Sequence, residues 1–149
     1  MIPRADVAKG AHTSVRTATI LFDDFQPGVL MGERVEVYDA QQARRWQAIF
    51  GSQPEDGADG AAQSASMAVV NMMRAYLHAV TPRPPGNVHA KQQLRVRNLP
   101  ECGESIRVTV HCAHKEMRRE RRYVDLKVHG TGTKGRALFD GVISLIWAA

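Results

Sequence analysis

The chain has 149 residues, enough for one domain with one sizeable core, and 44% of them are apolar, a globular rather than a disordered composition. No apolar run is long enough for a membrane helix, and no apolar N-terminal stretch ends in a small-residue cleavage site, so a cytosolic location is expected. The net charge of +5 and a pI near 9.6 favour anionic partners, while Cys102 and Cys112 lack metal spacing and are expected as free thiols.

Residues 1–13 show no periodicity and read as a flexible arm, leaving 14–149 as a single domain. "SVRTATILF", from Ser14, is rich in β-branched residues and reads as a strand. "QPG" at 26–28 is a turn signal, and "GERVEVYD" alternates Val35 and Val37 against Arg34 and Glu36, a short strand. Asp39 then stands as an N-cap, with Gln42 in the capping-box position. In "AQQARRWQAIFG", Ala43, Trp46, Ile49 and Phe50 share one helical face, and Gly51 is a stop signal.

The loop "GSQPEDGADGAAQSASM" follows, small, acidic and rich in glycine. It leads into "QSASMAVVNMMRAYLHAV", apolar almost all round and therefore a buried helix. Its polar stripe is narrow: Ser64, Asn71 and His78, with Arg74 between. Met67, Met72 and Met73 read as core, and "TPRPPG" ends the helix.

Four strands are expected after it. Val88, Ala90, Leu94 and Val96 alternate with His89, Lys91, Arg95 and Arg97; Ile106, Val108, Val110 and Cys112 alternate with Arg107, Thr109 and His111. "HKEMRRERR" reads as a solvated hairpin tip. Val124, Leu126 and Val128 then point inward, and "RALFDGVISLIWAA" is apolar on both faces near its end. Hairpin-length links favour antiparallel pairing. The expected class is α+β, an antiparallel sheet wrapped around one buried helix, with homodimerisation or a higher homo-oligomer covering an exposed face and edge.

This order resembles the hotdog fold and, within it, the MaoC-like dehydratase family, over roughly residues 25–147. The residues that carry the likeness are the capped helix ending at Gly51, the central helix "ASMAVVNMMRAYLHAV", and a Pro-Gly followed by a strand and a P-x-x-x-G-[DE] turn, here Pro100 to Glu104. The resemblance implies an acyl-thioester tunnel and hydration or dehydration of an enoyl thioester, by an Asp and a His of a G-D-x-N-P-x-H-x-D loop that share one water. This chain departs from that loop: Gly51 matches, Ser52 stands in place of the Asp, and no His lies between His12 and His78.

The remaining candidates follow from position. Asp56 and Asp59 are acids near the start of the buried helix, able to activate water as in hotdog thioesterases, or simply to complement the helix dipole. Ser64 and Ser66 stand where free backbone N–H groups can hold a thioester carbonyl, or act as ordinary caps. His89 should point outward or to a dimer seam, and His78 complements the helix C-terminus. Arg95, Arg97 and Arg118, with Arg107, Lys115, Arg119, Arg121 and Arg122, suit the phosphates of coenzyme A or the acidic surface of an acyl carrier protein, or form a solvated face. His111, His114 and His129 are scattered without acids at ligand spacing, so no metal site is expected, and no cofactor beyond the coenzyme A of a substrate. Nucleic-acid binding rests on charge alone, without aromatic pairs to stack bases. The functions in view are a divergent MaoC-like hydratase or dehydratase, an acyl-CoA thioesterase, or a non-catalytic acyl-CoA-binding or structural subunit.

Overall fold

A computed structural model describes residues 18–50 and 58–149. Five antiparallel strands form one sheet in the order β1-β3-β4-β5-β2: β1 Leu30–Tyr38, β2 Val88–Val96, β3 Glu104–Arg118, β4 Arg121–Thr131 and β5 Ala137–Trp147. Two helices, α1 Ala40–Phe50 and α2 Ala58–Ala79, lie between β1 and β2 in sequence, and α2 packs along the inner face of the sheet.

The core follows the period of two expected of a sheet buried on one side. Ile106, Val108, Val110 and Cys112 of β3, Val124, Leu126 and Val128 of β4, and Ile143, Leu145 and Trp147 of β5 are all buried against Met67, Met72, Ala75 and Tyr76 of α2. Glycines let the layers close. The ring of Phe139 lies where a side chain on Gly130, directly across from it on β4, would have to sit.

The segment expected as a first strand is not one where it is described. Residues 18–21 are irregular and Phe22–Asp24 is a short 3-10 turn. This stretch is a strap rather than a strand. Ile20 and Phe25 are fully buried, Trp147 Nε1 donates to the Ile20 carbonyl at 2.9 Å, Phe25 meets the Trp147 ring edge-on at 4.9 Å, and the Ile20 N–H donates to Pro82 O. Burial of two large apolar side chains outweighs β propensity.

Asp39 does cap α1: its Oδ1 accepts the Gln42 N–H at 2.9 Å. The apolar face read on that helix is open at its far end, with Ile49 74% exposed. The Thr81 hydroxyl donates to the Leu77 carbonyl as α2 ends. At the tip of the β3–β4 hairpin, Arg119 and Glu120 both take positive φ, the two-residue primed turn whose twist suits a hairpin.

β2 departs from simple alternation. Its register against β5 shifts between His89 and Lys91, a bulge at Ala90. Beyond it Leu94 and Val96 remain on the helix side, but His89 pairs with the buried Leu145 and changes face. Of the two expectations for His89, the outward-facing one is therefore corrected, while His89 stays exposed on this edge strand, as a dimer seam would require. Its ring meets that of Tyr76 on α2 at 5.9 Å.

Candidate functional site

The start of α2 is where the resembling enzymes would do their chemistry. Asp56 lies outside the described residues, and so do the side chains of Asp59 and Ser64. The helix begins at Ala58, ahead of the expected Gln63, so its first turn takes in Asp59 and part of the glycine-rich stretch. Only the first four N–H groups of a helix are free of intrahelical bonds. Ser64 and Ser66 lie beyond that turn. The free donors expected at these serines belong instead to the residues around Ala58, and Ser66 itself is exposed.

Beside α2, the inner face of β1 carries charge that sequence reasoning missed. Glu36 pairs with the buried Ile106 and so faces the helix, with its side chain 11% exposed. Arg34 Nε donates to one of its oxygens at 2.6 Å, and Arg74 of α2 reaches the other at 3.4 Å. Both oxygens are engaged, so Glu36 ties the edge strand to the helix and is not a free base. Alternation alone identified the strand but not its orientation: Val35 and Val37, the apolar set, are the ones turned out to solvent.

Asn71, read as part of a polar stripe, is 2% exposed, and its Oδ1 has no hydrogen-bond partner among the described residues. It borders an enclosed pocket of about 10 Å³ lined by Ala68, Val96, Asn98, Pro100, Ile106, Leu138 and Phe139. That is space for a single water. Farther along α2, Tyr76, Arg83 and His89 border a more open hollow of about 350 Å³ with Met73, Leu77 and the "PPG" turn. Burial pushes the Tyr76 phenol up, and the guanidinium of Arg83, 5.9 Å from its ring centre, opposes that shift.

The outer face of the sheet holds a second group. Arg95, Asp140 and His129 lie side by side on β2, β5 and β4. His129 Nδ1 lies 2.6 Å from Asp140 Oδ1, and Arg97 Nε donates to Oδ2 at 2.5 Å. The Arg97 hydrogen bond, then that of His129, hold the Asp140 carboxyl below the usual carboxylate range despite some burial. Arg118 is elsewhere. At the hairpin tip its guanidinium lies 4.6 Å above the Tyr123 ring centre and 3.6 Å from Glu116. Twelve strand residues separate it from Ile106 beside Asn71, roughly 40 Å at the usual rise. One chain does not bring Arg118 and the first half of α2 to the same small ligand. Among the described residues, no cluster of His, Cys, Asp and Glu has the geometry of a metal site, and no helix is long and apolar enough to cross a membrane.

No family model matches the chain, and no sequence among curated proteins matches it. Solved structures do. The MaoC-like dehydratase from Rhodospirillum rubrum superposes with a TM-score of 0.70 at 15% identity, covering 87% of this chain and 98% of that one. An R-hydratase from Pseudomonas aeruginosa gives 0.58 at 15% identity over 87% and 86%. A hot-dog-like protein from Thermanaerovibrio acidaminovorans gives 0.60 at 13% identity over 84% of each chain. With one long helix held against a five-stranded antiparallel sheet, the chain has the hotdog fold.

Proposed function

We propose that this chain binds acyl thioesters of coenzyme A or of an acyl carrier protein, and that it is a MaoC-like hydratase or dehydratase with a divergent site. The observation that carries the reading is the agreement of strand order and central helix with a MaoC-like dehydratase across nearly the whole of both chains. The place for chemistry is the start of α2, where the unpaired N–H groups near Ala58 are suited to a thioester oxygen and Asp56, Asp59 and Ser64 lie close by in sequence. Ser66 and His89 would contact the ligand farther along the helix. The protein would work as a homodimer. β2 is an edge strand of which every residue but Leu94 is exposed, the kind of edge that a second copy covers.

Binding without turnover is the second reading. It is favoured by Ser52 standing where the resembling loop has its Asp, and by the lack of any His between His12 and His78. The test is to offer purified protein short-, medium- and long-chain enoyl thioesters of coenzyme A. Double-bond loss, thiol release and ligand-induced thermal shift are followed in parallel. Double-bond loss supports the hydratase. Thiol release would replace it by a thioesterase, and a thermal shift alone supports binding without turnover. No response to any chain length in all three assays rejects the proposal.

A further inference from the structure

The outer face of the sheet carries a cleft with a different character from the helix side. It is open, about 470 Å³ in volume, and is formed across β2, β4 and β5 by Gln93, Arg95, Lys127, Asp140 and Val142. Strand pairing places Arg95, Asp140 and His129 in one cross-strand row, and Gln93, Val142 and Lys127 in the next. Asp140 is the only acid in these two rows. Both its oxygens are taken, one by Arg97 and one by His129.

Among the described residues, neither Arg95 nor Lys127 has a hydrogen-bond or ion-pair partner. His111 stands across from Lys127 on β3 and adds a further group able to carry positive charge, while Thr109 stands across from His129. Two other acids share this face: Asp125, next along β4 from Lys127 and two strands from Lys91, and Glu33 of β1, which lies 3.8 Å from Arg107. With Nδ1 of His129 directed at Asp140, its Nε2 is left for a ligand.

We propose that this cleft is a phosphate-binding site in which Arg95 and Lys127 grip the anion beside His129, whose Nε2 can donate only when the ring carries both protons, while Arg97 is withdrawn from the ligand to neutralise Asp140. Arg95 and Lys127 stand two strands apart, roughly 10 Å at the usual spacing. That span suits the several oxygens of a diphosphate better than a single carboxylate, and the planar guanidinium fork matches phosphate oxygens. Nothing in this requires a bound thioester. The site stands or falls separately from turnover.

The test is titration of the full chain with inorganic pyrophosphate, followed by the imidazole C–H signals of His129 in NMR spectra, with coenzyme A as a second probe and chloride matched throughout. Saturable movement of the His129 signals is expected. The double variant R95Q/K127Q should weaken binding about tenfold or more, and D140N, which frees Arg97 and removes the local negative charge, should tighten it severalfold. Circular dichroism establishes that each variant is folded. A response to coenzyme A with the same sensitivity would make a nucleotide diphosphate the source of the anion, and a response to pyrophosphate alone a free phosphate. Signals that move with neither probe, or that move equally in R95Q/K127Q, overturn the proposal.

Discussion

Glu104 and Arg136 meet at 2.6 Å in the corner where β3 begins and the β4–β5 turn folds over it. Glu104 is one of two buried polar or charged residues of the described core, and it serves three donors. Its Oε2 accepts Arg136 Nη2 and the Glu101 N–H, and its Oε1 accepts the Thr133 N–H. Gly132 has no side chain because Glu104 occupies that space. The last residue of the P-x-x-x-G-[DE] turn is thus a clamp between two loops.

Replacing Glu104 by Gln leaves one buried donor without its acceptor and should cost about 1–3 kcal/mol, read as a lowered midpoint in urea. The pH dependence has a definite sign. Burial pushes the Glu104 carboxyl up, but the N–H groups of Glu101 and Thr133 and the side chain of Arg136 outweigh it, and the net shift is downward. A carboxylate with a lowered folded pKa contributes stability that is present above its unfolded value, near 4.3, and lost as pH falls through the folded value. Wild-type stability should therefore drop on acidification in that range, and the Gln variant should lose part of the slope. An unchanged slope would mean that Glu104 is not the group responsible.

The two cysteines should behave oppositely toward a thiol reagent. Cys102 is exposed, and Cys112 is fully buried on β3. Burial raises the Cys112 thiol pKa, with Lys115 opposing, so little reactive thiolate forms there. One equivalent of a disulfide reagent should react quickly with native protein, and the second only on unfolding. Two fast equivalents would contradict the packing of β3. The same result sets the background for any thiol-release assay, because Cys102 must be blocked first.

The strands and core were legible because burial on one face writes a period of two into the sequence, but the pairing was not: the expected meander breaks after β2, which lies beside β5 while β3 lies beside β1. Ile106 through Cys112 and Val124 through Val128 could be assigned to the core directly. What was not legible depends on phase. Residues 34–37 alternate regardless of which set faces the helix, and here the charged pair faces it because Arg74 lies across from Glu36. The Ala90 bulge shifts His89 from one face to the other without any mark that alternation can register. Likewise, no local signal joins Arg97, His129 and Asp140. His129 and Asp140 come from β4 and β5 and Arg97 from just past the end of β2, and only the pairing register brings them together.

Gly130 should resist even one added methyl group. A Cβ there would fall inside contact distance of three atoms of the Phe139 ring, which is 2% exposed and has no room to retreat. Gly130→Ala should destabilise the protein by about 1–3 kcal/mol, as overpacking of a dense core does. A second change, Phe139→Leu in the same chain, should recover part of that loss by removing the ring edge. Additive costs in the double variant would show that the two positions do not compete for one space.

Asn71 offers the sharpest test of the inner face. A buried amide oxygen without a partner costs about 1–3 kcal/mol relative to one that is hydrogen-bonded, and the adjoining pocket of about 10 Å³ has the room a single water requires. A high-resolution crystal structure should show a water bonded to Asn71 Oδ1 and walled by Ile106, Leu138 and Phe139. In Asn71→Leu two methyl groups replace the amide oxygen and nitrogen, and their greater bulk takes up the adjoining space. That variant should match or exceed the wild type in thermal stability, since the pocket wall changes from polar to apolar. A Leu variant that is clearly less stable would mean that the Asn71 side chain makes a bond the packing needs. A pocket that is dry in the crystal would mean that the Asn71 amide oxygen is buried without a partner.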